Sequence, residues 1–320
     1  MIRLRSGRAA GLLLGAALDA ALADPRRRHP VAAFGSLAGR AEARLWADSR
    51  GRGAAHLAVC LLPVTTAGLA TGRLTRGHPV AAAAVTALAS WAVLGGTSLR
   101  REALALGRAL EAGDVPAARQ VLPALCGRDP GSLDAAGLAR AAVESVAENT
   151  SDAVVAPLLW GAAFGLPGLL GYRAVNTLDA MIGHRSPRYQ RFGWAAARLD
   201  DAANLIPARV TGLLAGLLAP TVGGRARPAL RTLRRDGHQH PSPNAGRCEA
   251  AFAGALGVRL GGTNSYQGRV EQRGLLGDGR PPAAADVTRA ARLSRLVSAA
   301  AVLLAALLAA VLQVRRGNDG

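Results

Sequence analysis

The chain has 320 residues, enough for one large domain or two smaller ones. Its formal charge of +18 comes from 39 arginines against 21 acids, with no lysine anywhere, so a Walker A nucleotide loop, which needs its lysine, is excluded. Half of the residues are hydrophobic and only 3% aromatic, so the basic balance points to a lipid surface or an anionic ligand rather than to nucleic acid.

In chain order, Arg3, Arg5 and Arg8 precede an apolar run over 9–23 that resembles a signal-peptide core. Asp19 inside the run and the lack of a clean cleavage site make it a retained, membrane-embedded or interfacial helix. It ends at Asp24-Pro25, followed by Arg26, Arg27, Arg28 and His29-Pro30, which reads as a helix stop or as an anion site. Residues 54–72 and 79–97 are each long and apolar enough to span a bilayer, and the short link Arg73–His78 makes them a helical hairpin. Pro79 suits the first turn of the second helix.

Residues 98–139 are polar and helical, with a break at Gly113-Asp114 and a turn at Asp129-Pro130-Gly131. An amphipathic helix capped by Ser132 follows. The apolar stretch 153–171 is interrupted by Pro157, Gly165 and Pro167, and 205–220 by Pro207 and Arg209. Each spans the bilayer or enters it from one side against protein. If both are re-entrant, the whole of 98–295 lies on the cytoplasmic side. A last span covers 296–314, followed by Arg315 and Arg316. Strand formers are few outside the apolar runs. The expectation is therefore all-α: a polytopic integral membrane protein with polar cytoplasmic loops, one domain over 1–320.

Three acidic clusters lie between apolar runs. Glu144, Glu148 and Asp152 are spaced by four, so on a continuous helix they share one face. Like charges at that spacing repel, which suits a bound cation, and hard carboxylate oxygens suit magnesium. Asn176 and Asp179 are three apart, close behind Arg173, and polar groups so near lipid depth are costly unless paired. Asp200, Asp201 and Asn204 form the third cluster. A chain so patterned builds a polar cavity. The loop with His184, Arg185, Arg188 and Arg191 is either a basic anchor or a set of guanidinium forks for phosphate or carboxylate.

His238-Gln239-His240-Pro241-Ser242-Pro243-Asn244 is a rigid loop without zinc-ligand spacing, and Gly261-Gly262-Thr263-Asn264 allows close backbone approach. Cys60, Cys126 and Cys248 are scattered and odd in number, against a disulfide framework or zinc site. No serine-hydrolase or zinc-protease signature occurs. The residues alone describe a membrane protein with an acid-lined, arginine-rimmed site for a phosphate or carboxylate ligand.

These strings resemble the CbiB/CobD family of adenosylcobinamide-phosphate synthases. The resemblance rests on LDAALADPRRRHPV, AVESVAENTSDAVVAPLLW, the stretch from Tyr172 to Arg209, HPSPNAGRCEAAFAGALGVRLGGTNSY and LLGDGR. They follow the family order over nearly the whole chain; Ala153 after Asp152 stands where the family pattern has glycine.

The resemblance implies a multi-pass protein of the cell (inner) membrane acting in cobalamin biosynthesis. The reaction it implies joins adenosylcobyric acid to aminopropanol, usually as the phosphate, with ATP and magnesium. Partners implied are the corrinoid, the amino alcohol, the lipid bilayer and other membrane-associated corrinoid enzymes, with no nucleic acid. On that reading Glu144, Glu148 and Asp152 hold the metal, and Asp179, Asp200 and Asp201 are catalytic. Arg173, Asn176, Arg185, Arg188, His240, Ser242, Asn244, Asn264, Asp24 and His29 bind substrate or phosphate. The rival readings are a non-enzymatic sensor or scaffold of the AmpE type and a transporter.

Overall fold

The computed structural model describes residues 7–24, 29–184, 186–266 and 269–318, without the side chains of 264–270 and 316–318. The chain is mainly helical. It divides into two compact units, Met1–Gly95 with Ala156–Asn204 and Ala301–Gly320, and Gly96–Val155 with Leu205–Ala300. Among the described residues, three helical stretches are long and apolar enough to cross a membrane: Arg50–Leu74, Pro79–Glu111 and Ala284–Arg315.

The first unit begins with α1 (Gly7–Leu22) and α2 (Pro30–Leu45). Then come α3 (Arg50–Leu74) and α4 (Pro79–Val93), with Pro79 in the first turn of α4; they do not pair as the expected hairpin, because α3 packs chiefly on Leu166–Leu178 and α4 on α1. The expected span 79–97 stops short, because the helix breaks at Leu94 and Gly95 before α5 (Gly96–Glu111) starts. Helix α1 lies on α4 through Gly7, Gly11 and Gly15, spaced by four on one face. A Cβ on Gly11 would stand 2.5 Å from Thr86 Cβ and 2.7 Å from the Ala83 carbonyl oxygen. Small residues let two backbones approach this closely where lipid supplies no hydrophobic drive. Val59, Leu62, Leu69 and Leu74 of α3 stay exposed, as lipid-facing residues do.

The apolar stretch 153–171 does not form one helix. It begins in a π-turn (Ser151–Val155), continues as α8 (Ala156–Phe164), and reverses at Gly165 into α9 (Leu166–Leu178). At nine and thirteen residues these helices are about 14 and 20 Å long, short of the ~30 Å hydrocarbon core. A second π-turn, Asp179–Gly183, ends α9. Helix α10 (Trp194–Leu217) carries the third acidic cluster. The core of this unit packs Ala38, Cys60, Leu178, Ile182, Phe192 and Ala196 together.

The second unit holds α5, α6 (Val115–Val121), α7 (Ala135–Thr150), α11 (Ala226–Asp236), α12 (Ala245–Leu256) and the start of α13 (Ala284–Asn318). Asp134, not Ser132, caps α7, accepting the Gly137 N–H at 2.7 Å. Helices α7 and α12 are buried along most of their length although each carries charged residues, among them Glu144 and Glu249.

An antiparallel hairpin, β1 (Leu260–Tyr266) and β2 (Arg269–Leu276), departs from the all-α expectation. Gly261 and Gly262 both take positive φ, at +80° and +84°, and make a bulge opposite β2. The glycine pair that reads as a loop signal is in fact the kinked start of a strand.

The α1–α4 contact predicts that Gly11→Leu destabilises the protein by about 1–3 kcal/mol through overpacking. Gly72, with nothing within 4 Å of a built Cβ, should tolerate alanine. Thermal unfolding in detergent compares the two; equal melting temperatures would contradict the close crossing.

Candidate functional site

In the second unit, the charge cluster is built around α7. Glu144 is 2% exposed, and both of its carboxylate oxygens are used. Arg128 donates to Oε2 at 2.5 Å and the Gly261 N–H donates to Oε1 at 2.7 Å. One turn back, Arg140 donates to the carbonyls of Gly261 and, at 2.9 Å, Thr263. Helix α7 therefore grips both the donor and the acceptor side of the β1 bulge. Ser145 donates to the Leu125 carbonyl at 2.6 Å, and Asn149 turns back onto Ser145. The loop that carries Arg128 is thus anchored to the same helix.

Glu148 lies one turn beyond Glu144 and is half-buried. Burial pushes its carboxyl up, against the pull of Arg273 and Arg128. Asp152 sits past the end of α7, inside the π-turn, so the spacing of four no longer places it on the α7 face. Its charge still acts on the buried thiol of Cys248, as do those of Glu148 and Glu249. Among the described residues, no three carboxylate, histidine or cysteine side chains gather as a metal-chelating group. Glu144 is committed to its protein partners.

The loop before α12 brings in His240, Ser242 and Asn244. The Ser242 hydroxyl accepts from the backbone N–H groups of Asn244 and Ala245, which starts α12. Asn244 itself is buried at the helix start. The Ser242 N–H donates to Nδ1 of His240 at 3.0 Å, which leaves the imidazole proton on Nε2. Nε2 faces Glu249 Oε1 at 3.8 Å, too far for a hydrogen bond. Burial, with Arg273 nearby, pushes His240 down to about 4, so the ring is neutral at pH 7. Burial, reinforced by Glu144 and Glu148, holds the Glu249 carboxyl well above the usual carboxylate range.

The first unit carries a separate network on α9 and α10. Tyr172 donates to Asn204 at 2.8 Å, Asn204 donates to Asp200 at 3.0 Å, and Asn176 donates to the other Asp200 oxygen at 3.3 Å. Asp200 is buried, with an amide on each oxygen. Asp201 pairs loosely with Arg198 at 4.0 Å, and Arg173 is half-buried on α9. Asp179 opens the second π-turn.

Arg188 stacks over Trp46 at 4.6 Å and pairs with Glu42 at 3.1 Å, which ties its loop to the end of α2. His29 caps α2 through Nδ1, and Asp24 follows the end of α1. Arg185 and the Asn264 side chain lie outside the described residues, as do Arg26, Arg27 and Arg28.

Sequence reasoning missed Arg128, Arg140, Arg273, Glu249 and Tyr172. Glu249 had a signal, a lone acid inside the small, apolar run of α12. Arg128 sits in a loop like many other arginine loops, and Arg273 in a strand that was not foreseen.

The chain matches the family model described as CobD/Cbib protein over residues 12–294. It is 56% identical over 302 residues to the cobalamin biosynthesis protein CobD of Mycobacterium tuberculosis (strain ATCC 25618 / H37Rv), covering 94% of this chain and 96% of that one. The protein of the same name from Geobacter metallireducens is 46% identical over 312 residues, covering 95% and 97%. One from Rhodobacter capsulatus is 43% identical over 316 residues, covering 96% and 99%. No solved structure matches.

Two outcomes follow from this geometry. Arg128→Met leaves the Glu144 carboxylate buried with one partner gone and should cost about 3–5 kcal/mol. Adding Glu144→Gln should restore part of that loss, as a double-mutant cycle in urea would show. For His240, the unfolded chain takes up a proton near pH 6.5 and the folded chain only near 4. Its contribution to stability is thus present above pH 6.5 and lost as pH falls from there towards 4. His240→Gln should flatten the fall in melting temperature across that window; an unchanged slope would place the ring in contact with water.

Proposed function

This chain belongs to the CobD/CbiB family of cobalamin biosynthesis, and from that membership and the buried charge cluster around α7 we propose that it is a membrane-bound acid–amine ligase. On this reading it joins a propionate carboxylate of adenosylcobyric acid to the amine of aminopropanol or its phosphate. The product is an amide at the corrin periphery, and the site of action is the inner cell membrane, crossed several times.

The observation that carries the reading is the concentration of buried charge in the second unit. Glu144, Glu148 and Glu249 are close enough for their charges to interact, and Arg128 and Arg273 act on the same groups. Burying such groups is costly, so their retention in an otherwise apolar helical pair argues for a chemical task. Both reactants suit it: a carboxylate and a phosphate need cationic donors, and an ammonium needs an acceptor.

The carboxylate must exchange a poor leaving group for a good one, most simply as an acyl phosphate. The amine nitrogen then attacks the acyl carbon and phosphate departs. Glu148 and Asp152 are the residues that would meet magnesium and nucleotide phosphates, because Glu144 is already engaged. Magnesium bound there would neutralise phosphate charge. The chain's own part is to hold the reacting groups in line within a buried site, where fixed dipoles and charges act strongly. In the first unit, Asp200 is held by two amides and suits a positioning role on substrate polar groups. Asp179 and Asp201 are the candidates there for proton transfer, and Arg173 for an anionic group.

Purified protein supplied with adenosylcobyric acid, aminopropanol phosphate, ATP and magnesium should form the amide. Glu148→Gln should lower that rate on the order of a thousandfold. Raised magnesium should rescue part of the loss. Full activity in well-folded Glu148→Gln and Asp152→Asn would move the metal site away from α7. A protein that binds no corrinoid at all would favour a sensor or a transporter.

A further inference from the structure

The reading above counts Glu249 in the buried charge cluster but gives the His240–Glu249 pair no task of its own. Both side chains are almost fully buried, at 4% and 1% exposure. Both also have an orphan atom: Nε2 of His240 and Oε2 of Glu249 have no hydrogen-bond partner. Buried polar atoms are rarely left so, and a functional ligand is one of the few reasons for it. The pair is also rigidly held. A Cβ on Gly246 would stand 2.4 Å from His240 Cβ, so the imidazole lies directly on the first turn of the helix that carries Glu249. The Ser242 N–H fixes the tautomer and makes Nε2 a donor. Glu249 is the acceptor beside it.

The surrounding charge favours a cation. Arg128 is paired with Glu144, and Arg273 lies 2.9 Å from Glu271. Arg140 is turned to the β1 carbonyls. Among the described residues neither Glu148 nor Glu249 has an arginine ion pair. A small group that presents positive N–H donors to a carboxylate and an oxygen acceptor to an imidazole N–H, side by side, would satisfy both orphan atoms.

We propose that Glu249 and His240 seat the amine end of a 1,2-amino alcohol, the ammonium on Glu249 and the neighbouring oxygen on His240 Nε2–H. The nitrogen and oxygen of such a molecule lie on adjacent carbons and can face both groups together. The seat rests on the ligase reading for the identity of its amine, and its geometry holds for any small vicinal amino alcohol. It leaves the corrinoid to other residues.

Calorimetric titration of the detergent-solubilised full chain with ethanolamine, aminopropanol and aminopropanol phosphate, with and without saturating adenosylcobyric acid, tests this. Glu249→Gln should weaken amine binding about thirtyfold, the worth of a charge-assisted hydrogen bond. His240→Gln should weaken it severalfold, and corrinoid affinity should stay within a factor of about three in both. In the coupled assay the loss should fall on KM for the amine. Glu249→Asp and the His240 variant carry the test if Glu249→Gln fails to fold, as its melting curve will show. Wild-type amine affinity in the folded variants, or no amine binding by wild type in either condition, overturns the seat. Amide synthesis with an unchanged amine KM in Glu249→Gln sinks the seat and leaves the ligase reading standing. Amine binding lost in Glu249→Gln, without amide formation by wild type, does the reverse.

Discussion

The second unit depends on one carboxylate. Glu144 holds a guanidinium from a loop at one oxygen and a backbone amide from a strand at the other. The 122–134 connection also buries Leu122 and Leu125, but the two glycines of the β1 bulge have no side chain with which to fix themselves. Their placement comes from a charge buried in the middle of an apolar helix. Such an arrangement is poor value as pure stabilisation, since hydrophobic residues of the same volume would serve as well. It makes sense where loops must hold one position beside a polar site, and the neighbouring acids Glu148 and Glu249 are what that position serves.

The two networks differ in character. Around α9 and α10, tyrosine, amides and a carboxylate satisfy one another in a chain from Tyr172 to Asn176. A chain of this kind stiffens a helix pair and presents its outer lone pairs and N–H groups to whatever binds. Around α7 and α12 the charges are more numerous, and Nε2 of His240 and Oε2 of Glu249 are among the buried atoms that have no hydrogen-bond partner within the described residues. The first network is a chain of amide, hydroxyl and carboxylate bonds; the second is a cluster of buried charge.

Much of the helical frame was legible in the sequence because apolar runs of membrane length have few other uses. The helices α3 and α4, the helix start at Pro79 and the terminal helix all follow from run length and punctuation, whereas the packing of α3 against α4 as a hairpin does not occur. The acid clusters were legible as places of buried polar contact, as Glu144 and Asp200 are, because carboxylates are costly beside such runs unless paired. The strand pair was not, since Gly261 and Gly262 favour a loop as readily as a bulge and the residues after them lack alternation. Nor was the role of Glu144. Spacing shows which face a side chain shares, but it does not show that an arginine sixteen residues earlier and an amide over a hundred residues later will take up its oxygens. Asp152 shows a related limit: the π-turn changes the winding between it and Glu148, and nothing in the local composition announces that change.

The hairpin that Glu144 and Arg140 anchor consists of two strands alone. A ribbon of two strands has an open edge on each side, and an open edge invites a strand from a second copy of the chain. Here β2 carries Glu271, Gln272 and Arg273 in succession. A second β2 added parallel and in register would set Glu271 against Glu271 and Arg273 against Arg273. Crowded copies in one bilayer can therefore keep their ribbons apart, and the hairpin can stay as bare as its anchoring to α7 leaves it.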